Sequence, residues 1–143
     1  MQRRKYEGFS LIEILVVVAL IIILTTITIV AINPAKNFRD TRNAQRSADV
    51  LQILNAVTQY TSEEGHTISD LGAIADCATP TPVVTGTVFE TTLVDEYIVE
   101  IPKDPSEASG TDTGYTICIT GTSGRIEVSA PHAEDGKVIS VKR

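Results

Sequence analysis

Two histidines and two cysteines are all that this 143-residue sequence offers of the residues that most often bind transition metals or act as bases and nucleophiles. His66 and His132 both fall in turn-like contexts, and neither shows a metal-ligand spacing with Cys77 or Cys118. A Gly-rich phosphate loop, a nucleophile elbow and a paired-His helix motif are missing as well. No cofactor is therefore expected, and an enzyme reading is set aside. Asp104, Glu107 and Asp112 share one stretch and could offer oxygen ligands to calcium. Their spacing fits no EF-hand pattern, so a solvated acidic loop is the preferred reading.

Basic residues are scarce beyond Ser47, with five against fifteen acidic ones. Just before that point lies a basic collar: Lys36, Arg39, Arg42 and Arg46, with Asp40 among them. An acidic body with a basic collar argues against nucleic acid as the main ligand. It suits contact of the collar with the body of another molecule, or with lipid phosphates. A simply solvated charged helix is the alternative.

Polar side chains are absent from Ile14 to Leu24, and the apolar run extends to Ile32 with only Thr25, Thr26 and Thr28 interrupting it. Nineteen helical residues rise about 28 Å, close to the hydrocarbon thickness of a bilayer. A cleaved secretory signal would also begin with Arg3, Arg4 and Lys5. The core is long for one, however, and no A-x-A site comes before Asn33-Pro34, so a retained membrane helix is expected. Basic residues flank both ends of it, so charge counting leaves the orientation open. Glu13 is the anomaly. A carboxylate at the head of such a run costs roughly 2.5–3.5 kcal/mol on the lenient insertion scale and calls for a partner.

The segment Gly8-Phe9-Ser10-Leu11-Ile12-Glu13, behind a short basic leader and ahead of the apolar helix, resembles the N-terminus of type IV prepilins and of type II secretion pseudopilins. Glu7, directly before the glycine, is the one departure from the commoner pattern. The resemblance implies that a membrane-bound prepilin peptidase cuts between Gly8 and Phe9 and N-methylates Phe9. Met1–Gly8 would then be a cytoplasmic leader, with the head on the other side of the cytoplasmic membrane. Cutting creates a positive amine on Phe9, four residues from Glu13, which supplies the partner the carboxylate lacks. In assembly, Phe9 of one subunit would pair with Glu13 of its predecessor.

What the resemblance implies for function is a structural subunit that homo-oligomerises into a helical type IV pilus-like fibre. An assembly platform and its ATPase would draw it from the membrane lipid. The alternative is the major pseudopilin of type II secretion, building a short periplasmic fibre. A reading of another class is a monomeric, signal-anchored binding module that keeps its leader.

Beyond the apolar run, the expected organisation is a helix over 9–33, an amphipathic helix over 34–65 and a head over 66–143. Pro34 predicts a kink or break, with Asn33 capping a new helix as an equally good local reading. The two helices together would make a nearly continuous rod of about 80 Å. Val50, Ile53, Leu54, Val57 and Tyr60 form an apolar stripe, opposite a polar one of Gln45, Asp49, Gln52, Gln59 and Glu63. "DCATPTPVVTGT" reads as a surface loop, and "TTLVDEYIVEIPKDP" as one short helix ended by Pro102. Three strands are expected at Tyr115–Thr120, Arg125–Ala130 and Lys137–Val141. The fold class is therefore α+β, with a long N-terminal helix and a small antiparallel sheet laid on its second half. A Cys77–Cys118 disulfide would tie the loop to the first strand, since paired cysteines suit an oxidising compartment; two reduced thiols are the alternative.

Overall fold

The structure, a computed structural model, describes residues 8–143. The leader expected at Met1–Gly8 lies outside these residues except for Gly8 itself. The chain divides into two compact units, one ending at Phe38 and the other spanning Arg39–Arg143.

The first unit is dominated by helix α1, Leu11–Ile32. Ser10 stands in extended conformation at its N-cap, and none of its 22 residues is buried. The three threonines do not interrupt it. Their hydroxyls donate to the carbonyls of Ile21, Ile22 and Leu24 at 2.7–2.8 Å, so each polar group is satisfied inside its own helix, as lipid requires. Asn33 then adopts φ 47°, a left-handed conformation that ends α1. Helix α2 begins at once, at Pro34. The Lys36 N–H donates to both the backbone carbonyl and the side-chain oxygen of Asn33, at 3.1 and 3.3 Å. Pro34 sits in the first helical position, where its missing N–H costs nothing. The break therefore takes the capping form: one residue ends one helix and starts the next.

The second unit contains most of α2 (Pro34–Thr61), a 3₁₀ turn at Ile68–Leu71, strand β1 (Thr81–Val84), helix α3 (Val88–Leu93), and strands β2 (Asp112–Ile119), β3 (Ile126–Ala130) and β4 (Ile139–Lys142). The sheet is antiparallel in the order β1-β2-β3-β4. Val50, Ile53, Leu54, Val57 and Tyr60 are all buried, in one core with Val83, Phe89, Leu93, Tyr115, Ile117 and Val128. Ile117 and Val128 face each other across β2 and β3, which puts the sheet's branched side chains against the helical stripe.

Three expectations need correcting. The sheet has four strands, because Thr81–Val84, within the stretch read as loop, pairs along β2. Pro82 is tolerable there since β1 is an edge strand, and Val83 plugs the core at 1% exposure. The short helix is Val88–Leu93, starting three residues ahead of the stretch expected to hold it and ending within its first three residues. Asp49 does not belong to the solvated face. It is buried and accepts a 2.6 Å hydrogen bond from the Tyr115 hydroxyl.

Candidate processing and assembly segment

Gly8, Phe9 and Ser10 precede the first helical residue and are all exposed. A side chain at Gly8 would meet no atom within 4 Å, and Phe9 is 81% exposed. Both residues that flank this peptide bond are thus accessible and outside the helix, where a protease can reach backbone most readily. Glu13 lies in the first turn of α1, the end at which the helix dipole favours a negative charge. Phe9 stands two residues ahead of Leu11, so in the uncut chain Phe9 and Glu13 do not share a helix. From Leu11 to Ile32 the helix is long and apolar enough to cross a membrane.

Residues 3–29 match the family model of the prokaryotic N-terminal methylation motif. The chain carries a prepilin-type motif. That motif is the hallmark of type IV pilin and pseudopilin precursors, and the match spans Arg3, Arg4 and Lys5, Gly8 and Phe9, Glu13 and most of α1. No curated protein and no solved structure matches the chain.

Downstream of the motif, the basic collar is turned inward on its own body. Arg39 pairs with Asp135 at 2.7 Å, Asp40 with Lys137 at 2.8 Å, and Arg42 with Glu134. Arg46, with no exposed surface, bonds Asp104 through Nε and Nη2 at 2.7 and 3.0 Å and Glu134 through Nη1 at 2.9 Å. Asn43 adds a two-way link, donating to the Glu134 carbonyl at 3.0 Å and accepting from its N–H at 2.9 Å. All three arginines are thus paired within the chain, Arg46 with no exposed surface and Arg39 and Arg42 with about a third of their side chains exposed.

Sequence reasoning missed this clasp because i, i+3 and i+7 arginines on a polar helix read as surface. The usable signal was the "AEDGK" turn. Asp135 and Gly136 both take positive φ, which bends Glu134, Asp135 and Lys137 back onto α2.

The electrostatics follow from the pairing. Burial alone would raise Asp104, but hydrogen bonds from Arg46 and from the N–H groups of Ser106 and Glu107 hold it down at about 2. Glu134 is held near 2 as well, first by the hydrogen bond from Arg42 and then, against desolvation, by Arg46. Both arginines are correspondingly raised. Asp49 runs the other way, raised chiefly by burial, and burial together with Asp49 raises Tyr115.

The remaining residues singled out in the sequence separate. Cys77 and Cys118 are joined as a disulfide linking the stretch before β1 to β2. Glu127 lies near them, yet disulfide sulfurs are not thiolate ligands, so this trio does not make a metal site. His66 stacks on Tyr60 with ring centroids 4.3 Å apart. His132 is exposed in the β3–β4 connection. Of the three acidic residues read as a possible calcium loop, Asp104 is buried against Arg46, while Glu107 and Asp112 are exposed.

Proposed function

We propose that the chain is the precursor of a structural subunit of a type IV pilus-like fibre. The observation that carries this reading is the methylation motif over residues 3–29 running into a helix with no buried residue. An apolar surface that covers a whole helix needs lipid or other helices around it, and a subunit that moves from membrane to fibre uses both.

In this reading a prepilin peptidase cuts between Gly8 and Phe9 and methylates the new amine. The subunit is held as a single span in the cytoplasmic membrane with its N-terminus inside. An assembly platform and its ATPase then transfer it into a helical homopolymer whose centre is built from α1. The role is structural, not enzymatic. Glu13 is neutralised by the Phe9 amine once the leader is gone and the first turn extends back to Phe9. In the fibre it takes the amine of the next subunit, which fixes the axial register. A major pseudopilin of type II secretion would use the same steps in a short periplasmic fibre.

Intact mass of the subunit in purified fibres tests the reading. The expected chain begins at Phe9 and carries one added methyl group, and Gly8→Val leaves a longer, unassembled membrane protein. Fibres built from subunits that keep Met1–Gly8 would overturn it. Shed extracellular fibre distinguishes the pilus from the pseudopilin form.

A further inference from the structure

The guanidinium of Arg46 lies inside a cage of five oxygens. Asp104 Oδ2 is 2.7 Å from Nε and Asp104 Oδ1 is 3.0 Å from Nη2; Ser106 Oγ is 2.7 Å from Nη2; Asn43 Oδ1 and Glu134 Oε2 are 3.1 and 2.9 Å from Nη1. Arg46 and Asp104 side chains have no exposed surface, and Asn43 is 2% exposed. The cage is itself held from behind. The N–H groups of Ser106 and Glu107 donate to Asp104 Oδ1 at 2.9 and 3.0 Å, and the Glu134 N–H donates to Asn43 Oδ1 at 2.9 Å.

Two carboxylates, an amide oxygen and a hydroxyl, preoriented, with Asp104 and Asn43 buried and Glu134 and Ser106 on the solvent side, make up the kind of donor set that hard divalent cations take. Here an arginine fills it. Both Asp104 oxygens are bonded to that guanidinium, which occupies the place a metal ion would take, so Asp104 is not open to calcium as the chain stands.

We propose that this is a cation site whose cation is built in: Arg46 makes the second unit independent of divalent metal, and removing its guanidinium uncovers a site for a calcium-class ion. The cage belongs to Arg39–Arg143 and stands whether or not the chain enters a fibre. Arg46 joins three separate segments there: α2, the loop after Pro102, and the β3–β4 connection. Without a cation, the buried Asp104 carboxylate loses its counter-charge and has Glu134 as a like-charged neighbour, which is costly. Calcium–oxygen distances of 2.3–2.6 Å require the cage to contract, so weak binding is expected, with a Kd on the order of 10⁻⁴–10⁻³ M.

The test is thermal unfolding of the full-length, detergent-solubilised chain in 10 mM CaCl2 and in EDTA, followed by tyrosine fluorescence. Wild type and Arg46→Lys, which keeps a cation in the cage, are expected to melt within about 1 °C in the two buffers, since no site is open. Arg46→Ala is expected to melt about 15 °C or more below wild type in EDTA, and to recover about 5 °C or more in calcium. Asp104→Asn added to Arg46→Ala is expected to abolish that recovery. Calcium stabilisation of the wild type overturns the proposal. So does an Arg46→Ala chain that melts identically in both buffers or is unfolded in both.

Discussion

Lowering the pH from 7 to 2 should remove most of the stability that the arginine clasp contributes while leaving the apolar core chemically untouched. Asp104 titrates at about 2 in the fold against an ordinary 3.8; burial pushes it up, and its hydrogen bonds from Arg46, Ser106 and Glu107 pull it further down. A carboxylate depressed by folding contributes its full stability above its unfolded value and loses it as the pH falls through the folded one. For Asp104 that gap corresponds to a stability on the order of 2–3 kcal/mol, lost progressively between about pH 5 and pH 1. Glu134, held near 2 by Arg42 and then Arg46, acts in the same sense over the same window. Asp49 opposes them, because burial raises it and its protonation on acidification favours the fold.

Urea titrations of the solubilised chain at successive pH values give the measurement. Tyr115 is a natural reporter, fully buried in a protein without tryptophan. Wild type should lose its stability steeply below pH 5. Asp104→Asn should begin weaker at pH 7, by about 3 kcal/mol or more since Arg46 stays buried, and should fall less steeply below pH 5. Parallel pH curves for the two proteins would refute the assignment of that acid-labile stability to Asp104.

Gly114→Ala should destabilise the second unit by about 2–4 kcal/mol, because the added methyl lands 2.7 Å from Asp104 Cβ at a backbone φ of +80°; a urea midpoint within error of wild type would count against this. Cys77→Ser with Cys118→Ser should cost up to about 4 kcal/mol for the loop closed across a separation of 41 residues, read as a lower melting temperature under non-reducing conditions. Glu13→Leu should still be inserted and largely cleaved, yet yield few fibres in cells lacking the wild-type subunit; normal fibre yield would remove Glu13 from the assembly step.

What the sequence made legible was whatever depends on periodicity or on a contiguous motif. The α2 stripe from Val50 to Tyr60 is buried where a 3.6-residue repeat says it should be, and the Asn33-Pro34 break is a matter of local backbone chemistry. Gly8 through Glu13 is contiguous, so its motif could be read without any fold. What stayed hidden depends on contacts far apart in the chain. Thr81–Val84 is too short and too proline-marked to announce a strand, and becomes one only because β2 offers it an edge. Arg46 meets Asp104 across 58 residues and Glu134 across 88, so nothing local distinguished it from a solvated arginine. Asp49 reads as part of the polar stripe for the same reason: its partner is Tyr115, on the opposite layer.

The inward turn of the collar changes where specificity between subunits must come from. A basic band facing an acidic body would have offered an electrostatic route for one molecule to find the next. With Arg39, Arg42 and Arg46 already paired to Asp135, Glu134 and Asp104, such a route would first have to break ion pairs that hold α2 in its own fold. Losing the buried pair alone costs about 3–5 kcal/mol, more than a new exposed pair returns. The clasp thus works against collar-driven association and in favour of a head that keeps its charges to itself. Over Leu11–Ile32 the situation is reversed, since Glu13 is the single charged residue of that helix. Apolar helices slide against one another with little preference for register, whereas a lone carboxylate among them distinguishes one alignment from every other. The division of charge between the two units therefore supports the proposed assembly step, in which register is set at Glu13.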